Sequence, residues 1–429
     1  MRFLHAADLH IDSPLRGLNR FEGAPVARLR GATRQALIRL VDLAIDETVD
    51  FVLIAGDLYD RDWQDFHTGL FVREQMVRLG RAGVKVFIVQ GNHDAQGVIS
   101  RQLPWPDNVK VFSSRAAETV RLDDLRVAIH GHSFPDREVP EDLVPGYPMA
   151  VPGYLNIGLL HTSLTGAEGH DTYAPTSLDT LRSKGYDYWA LGHVHARQVV
   201  CDEPRVVYPG NLQGRHARET GPKGCELVSV AGGKLDTTFV PLDVVRWHQI
   251  DVALNPSHTL DALPQLVGEA LRVAVASASG ERLHAVRVLL MGESPLHLHE
   301  ARQPGTLAAA VQAAAQDLIE ADVWIEKVQL ALRSPVDRGQ LAQRSDALGE
   351  LVRWVDDLAA EPQVLTSFAQ PVLADVLDKL PAELRQALAL KRESADDVPQ
   401  WDDADAMLAL LKDAEATLLA HLNVGEELP

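Results

Sequence analysis

Eight polar side chains follow five apolar runs, and their types suit metal chemistry. Asp8 and His10, one residue apart, come after the first run, and Asp57 comes after the second. Asn92 and His93 follow the third, His161 the fourth, and His193 and His195, after Gly192, the fifth. An Asp-x-His or a Gly-Asp alone is common by chance, but all five in this order point to a metal site. Carboxylate, carboxamide and imidazole donors without a thiolate favour Mn²⁺, Fe²⁺ or Zn²⁺ over a structural zinc cage. A dinuclear site needs a bridging group between ions about 3.5–4 Å apart, and Asp57 is the natural bridging carboxylate. Such a pair lowers the pKa of a bridging water and clamps the attacking and leaving oxygens of an in-line displacement at phosphorus.

Short buried strands are the elements that can bring these groups together, because ligands in an α/β sheet bind where the carboxyl ends of strands meet. Arg2–Ala7, Phe51–Ala55 and Val84–Val89 are apolar runs bounded by Gly or polar residues, as buried strands are. Ala32–Thr48 and Leu70–Leu79 have helical spacing. Later strand candidates are Val127–Ile129, Asn156–Leu160, Tyr188–Leu191, Val206–Tyr208 and Glu226–Val230. Few helices separate them, so an α/β start is expected to pass into a more antiparallel region. Beyond a boundary near Pro241–Trp247, strands are expected at His248–Leu254, Arg287–Met291 and Val323–Leu330, and helices at Leu260–Ala276 and Leu307–Glu320. From Pro335 on the chain reads as helical, with Leu348, Val352 and Val355 on one face and a stripe of Met407, Leu411, Ala414, Leu418 and Leu422 near the end.

The five elements resemble the calcineurin-like metallophosphoesterase superfamily, whose pattern is D-x-H, G-D, G-N-H-[DE], H and G-H-x-H. It stands here as Asp8-Leu9-His10, Gly56-Asp57, Gly91-Asn92-His93-Asp94, His161 and Gly192-His193-Val194-His195, within about the first 240 residues. The resemblance implies an α/β fold: a two-sheet sandwich flanked by helices. It assigns one ion to Asp8, His10, Asp57 and His195, and the other to Asp57, Asn92, His161 and His193. His93 would contact the substrate phosphate and assist the leaving oxygen, and Asp94 would orient it. An imidazole beside a developing alkoxide can act as general acid, and a carboxylate partner fixes its tautomer. Two divalent ions are expected, Mn²⁺ first, with Fe²⁺, Zn²⁺ or Mg²⁺ as alternatives.

Several segments are similar to the DNA-repair exonuclease branch, the SbcD-like nuclease subunits: His5-Ala6-Ala7-Asp8-Leu9-His10, Asp12-Ser13-Pro14-Leu15, Tyr208-Pro209-Gly210-Asn211, and Gly214-Arg215-His216 through Gly224. That resemblance implies a nuclease domain over 1–245, a small α+β capping domain over 246–335 and a helical region over 336–429 that docks an SMC-like or AAA-type ATPase. The best-known members place Trp between the Asp and His of the first motif. Leu9 stands there in this chain, which points to a side branch with its own partner. Arg215, His216 and Arg218 could hold backbone phosphates or brace the loop beside the metals. Lys223, after Gly221-Pro222, reads as a turn residue.

Charge sharpens this picture. The 429 residues carry a net charge of −19, where a simple nucleic-acid binder is usually basic. Residues 1–250 hold 27 Lys+Arg against 31 Asp+Glu, and residues 251–429 hold 14 against 29. Two divalent cations would bring the first part near neutrality. The acidic remainder reads as a soluble surface or as a docking face for a basic partner. Cys201 and Cys225 allow one disulfide but write no zinc motif, and a reducing cytoplasm is the simplest home. No apolar run is long enough for a membrane span. The expected function is a metal-dependent nuclease acting on DNA, with DNA, an ATPase subunit and a second copy of the chain as partners. The alternatives are a phosphodiesterase on small nucleotides and a metal-binding scaffold. The scaffold has no use for His93.

Overall fold

The computed structural model describes residues 1–13, 25–60, 66–95, 104–164, 173–276, 282–335, 337–380 and 404–422; Pro14 and Leu15 lie outside them. Twelve strands alternate with helices in the first part: β1 (Arg2–Ala6), β2 (Phe51–Ala55), β3 (Lys85–Val89), β4 (Val109–Val111), β5 (Glu118–Leu122), β6 (Val127–Gly131), β7 (Leu155–His161), β8 (Tyr188–Gly192), β9 (Gln198–Cys201), β10 (Arg205–Tyr208), β11 (Gly224–Ala231) and β12 (Lys234–Pro241). They form two mixed six-stranded sheets, β12-β11-β1-β2-β3-β4 and β5-β6-β7-β8-β10-β9. Strands β1 to β4 pair in parallel, and β11 closes against β1 antiparallel.

The strands read as unbroken apolar runs because both of their faces are covered. Phe3, Phe51, Leu53, Phe87 and Val89 point at the other sheet, where they meet Ile129, Ile157, Leu159, Tyr188 and Val207. Phe3 and Phe51 stack with ring centroids 4.9 Å apart. Leu4, Val52, Ile54, Val86 and Ile88 face the opposite way. Two helices cover them, α1 (Val26–Asp46) through Leu37, Leu40, Val41 and Ala44, and α2 (Phe66–Arg81) through Val72, Met76 and Leu79. That spacing of three and four is what a helix needs to keep one face inward.

The expected antiparallel region forms in part: β11 pairs antiparallel with both β1 and β12. In the second sheet β6, β7, β8 and β10 run parallel, and only the edge strands β5 and β9 pair antiparallel. Among the described residues the connections hold little helix (the short α3, Leu178–Ser183, lies between β7 and β8), so the alternation that signals parallel pairing was muted in the sequence. The edge strands are short or half-exposed, which is why their residues carry no apolar run.

A third sheet, β13-β14-β15, is built from Val245–Leu254, Leu283–Glu293 and Asp322–Arg333. The remaining helices are α4 (Leu263–Val275), α5 (Leu296–Arg302), α6 (Thr306–Gln316), α7 (Arg338–Ala342), α8 (Ala347–Ala360), α9 (Pro362–Lys379) and α10 (Ala404–His421). The chain divides into two compact units: 1–250 with 272–287 and 318–327, and 251–271 with 288–317 and 328–429. Cys201 and Cys225 are both free, so the disulfide does not form. No helix among the described residues is long and apolar enough to cross a membrane.

Within the second unit α10 packs on α5, α8 and α9. Its inward face is Met407, Glu415 and Leu419 with Leu411 half-buried, whereas Ala414, Leu418 and Leu422 of the expected stripe are exposed. A buried acid displaces the apolar register: Glu415 accepts from Arg338 at 2.8 Å, and Arg338 also reaches Asp356 at 2.9 Å. Removing residues 340–429 takes away α8, α9 and α10, and with them the packing of α10 on α5. The truncated protein should therefore aggregate or melt at a lower temperature. A soluble truncation with an unchanged melting temperature would contradict this packing.

Candidate metal centre

The ends of β1 and β2 continue past the strands as a ladder. Asp8 N–H donates to the Gly56 carbonyl at 3.1 Å, His10 N–H to that of Asp57 at 2.9 Å, and Ile11 N–H to that of Leu58 at 3.0 Å. The ladder holds several ligands on left-handed backbone: Asp8 at φ 50°, His10 at 43° and Asp57 at 51°, with His193 at 104°. Each such residue costs about 1–3 kcal/mol and persists only where its surroundings impose it. Two glycines of the motifs are there for space. A Cβ on Gly192 would lie 1.7 Å from the Ala55 carbonyl oxygen, and one on Gly91 2.4 Å from Asp57 Oδ1.

All seven expected ligands converge. Asp8, His10 and His195 form one cluster and Asp8, Asp57 and His161 another, with donor atoms within 4.8 Å of one another in each. Asp57 sits between them, its Oδ2 3.7 Å from His10 Nε2 and 3.6 Å from His161 Nε2. His10 and His195 bring their Nε2 atoms to 3.3 Å. Asn92 Oδ1 lies 2.9 Å from His161 Nε2, and the His193 ring meets the His161 ring edge-on at 5.2 Å. The His161 Nδ1–H donates to the Ala55 carbonyl at 2.9 Å, which leaves Nε2 as the lone-pair nitrogen.

The electrostatics ask for cations. Burial and the neighbouring Asp57 push the Asp8 carboxyl well above its usual range. Burial, then Arg215 and the surrounding imidazoles, drives His10 well below the ordinary histidine value. Buried acids crowded with neutral imidazoles are a donor set for divalent ions, and oxygen and nitrogen without sulfur fit the metal class expected.

Asp94, expected to orient His93, is engaged by the backbone. Its carboxylate accepts the backbone N–H groups of Leu58 at 3.0 Å, Tyr59 at 2.9 Å and Gly91 at 3.3 Å, bracing the loop after β2. Burial and the Asp57 charge push it up to about 7. His93 is paired with Asp60, whose Oδ1 lies 2.6 Å from Nδ1. Although burial works against it, hydrogen bonds from His93 and from Ser13 hold Asp60 at about 2. Asp60 stands three residues after Asp57, and nothing in that spacing distinguishes it from a loop acid.

The phosphate candidates separate. Arg215 is mostly buried and paired with Glu219 at 3.0 Å, while His216 and Arg218 are exposed. Lys223 is no simple turn residue: it is buried, and its Nζ donates to the His195 carbonyl at 2.8 Å.

Comparison with known proteins agrees with this geometry. Residues 1–197 match the calcineurin-like phosphoesterase family, and residues 247–333 match the middle domain of the metallophosphoesterase YhaO. A protein of Bacillus subtilis described as the uncharacterized metallophosphoesterase YhaO is 36% identical over 334 residues, covering 77% of this chain and 81% of its own. The chain belongs to the calcineurin-like metallophosphoesterases. Among solved structures, a dimetal phosphatase from Danio rerio aligns at 13% identity with 56% of this metallophosphoesterase and 96% of its own chain, with a TM-score of 0.36. The protein TT1561 of Thermus thermophilus aligns at 14% identity with 56% and 98%, with a TM-score of 0.33. Metallophosphoesterases use divalent ions, and the clusters above are where this one can hold them.

The two acids near His93 make separable predictions. His93→Asn should keep the bound metal and lose about 10²–10⁴-fold in turnover, the usual worth of a general acid. Asp60→Asn should lower turnover with metal content unchanged. Asp94→Asn should act on stability instead, because it disturbs the acceptor of three backbone N–H groups. Asp57→Ala should lose both ions, read by metal analysis. Turnover that fell in Asp94→Asn at unchanged stability and held in Asp60→Asn would reverse the assignment.

Proposed function

We propose that this metallophosphoesterase is a two-metal phosphodiesterase that cleaves DNA. The observation that carries the chemistry is the His93–Asp60 pair at 2.6 Å beside Asp57, whose Oδ2 lies 3.7 Å from His10 Nε2 and 3.6 Å from His161 Nε2. One ion would be held by Asp8, His10, Asp57 and His195, and the other by Asp57, Asn92, His161 and His193. A divalent pair, when bound, supplies Lewis acidity at the phosphoryl oxygens and lowers the pKa of the attacking water. His93, as the imidazolium, would give its Nε2 proton to the departing sugar oxygen, while Asp60, acceptor-only when ionised, would hold the Nδ1–H and keep Nε2 turned to that oxygen. His93 retains 20% side-chain exposure, enough for substrate to reach it.

DNA is favoured as substrate by the exposed His216 and Arg218 on the loop that carries Arg215 beside His195, where they can meet flanking phosphates. The same reading takes an ATPase-like subunit as partner. The exposed apolar stripe of Val364, Phe368, Val372 and Val376 on α9 offers it a helix face. A second reading, a phosphodiesterase on small nucleotides, is favoured by one observation: the Arg215 guanidinium is already engaged by Glu219.

An assay on labelled single- and double-stranded DNA beside a small chromogenic phosphodiester tests this. With Mn²⁺ the protein should cut DNA, chelator should abolish cutting, and Mn²⁺ should restore it best. Hydrolysis of the chromogenic diester with DNA left intact would favour the small-substrate reading.

A further inference from the structure

The two imidazoles with resolved outer partners are held differently. His161 donates to a neutral backbone carbonyl, whereas His195 Nδ1 lies 2.7 Å from a carboxylate oxygen, Glu219 Oε1. The Glu219 side chain is only 7% exposed, and its other oxygen is fixed by Asn211 Nδ2 at 2.9 Å and by the Arg215 N–H at 2.7 Å. Arg215 Nη2 adds a bond to Oε1 at 3.0 Å. This carboxylate is thus immobile before any ion arrives. An ionised carboxylate can only accept, so the proton of His195 resides on Nδ1 and the Nε2 lone pair is left facing His10. A carboxylate behind an imidazole also raises its donor strength.

We propose that Glu219 is the positioning residue for His195, and that it makes the ion on the His10–His195 side the more tightly held of the two. Glu219 touches neither substrate nor ion and acts through the imidazole. Arg215 thereby has a second office, keeping Glu219 ionised and in place, which accounts for its burial. The proposal rests on the two-metal reading above.

Manganese titrations of the metal-stripped full chain test it, with bound ions counted and the two dissociation constants resolved. Counting two ions on the wild-type protein checks the two-metal reading by itself. In Glu219→Gln, one Kd should rise about 10- to 100-fold, the usual effect of losing an outer carboxylate, and the other should hold. Asn211→Ala, which frees one Glu219 oxygen but leaves the contact to His195, should raise the same constant by less. The proposal is overturned if both constants of Glu219→Gln equal those of wild type, if that variant loses both ions together, or if the constant that rises is the weaker one of wild type.

Discussion

Two carboxylates that share a buried pocket set the terms for the rest of this molecule. Asp8 and Asp57 are 1% and 2% exposed, and with His161 they bring donor atoms within 4.8 Å of one another. Two like charges at about 5 Å repel by roughly 3 kcal/mol at the effective dielectric of protein sites. Burial and the Asp57 charge push the Asp8 carboxyl well above its usual range, against the His193 N–H and Arg215, which pull it down. The nearest imidazoles, His10 and His161, are themselves pushed down by burial. The fold is therefore organised around a charge deficit that divalent ions remove, and catalysis uses the same ions.

The placement of acids shows a division of labour that side-chain type alone does not reveal. Asp57 faces both donor clusters. Asp94 accepts three backbone N–H groups and holds the loop that carries Asp57. Asp60 serves His93, and Glu219 serves His195. These four acids thus meet different partners: imidazoles on two sides, backbone N–H groups, and in two cases a single imidazole. What separates them is which hydrogen-bond donors each oxygen meets.

The gathering of the candidate ligands was readable in the sequence because each follows an apolar run, and buried parallel strands must be apolar on both faces. The pairing of His93 was not. Asp94 is adjacent in sequence but turns to the loop, while Asp60 reaches the ring from the end of another strand, and such cross-strand contacts leave no spacing signal. The strands β4, β5, β9 and β12 were also invisible, since short or half-exposed strands need no apolar run. The register of α10 was misread for a related reason: a buried Glu415 looks like a surface residue until its partner Arg338 is known. Where burial is satisfied by apolar contact the sequence announces it, and where it is satisfied by a distant charge it does not.

The left-handed backbone at Asp8, His10, Asp57 and His193 has a consequence for how the centre meets its ions. These torsions are imposed by the ladder between the ends of β1 and β2 and by the Asp8 carboxylate that accepts the His193 N–H. The bite of the ligands is therefore set by the scaffold, in the way a rigid chelator is set by its ring. A rigid chelator cannot rearrange to suit each ion, so it favours those whose preferred size and geometry match the bite it already has.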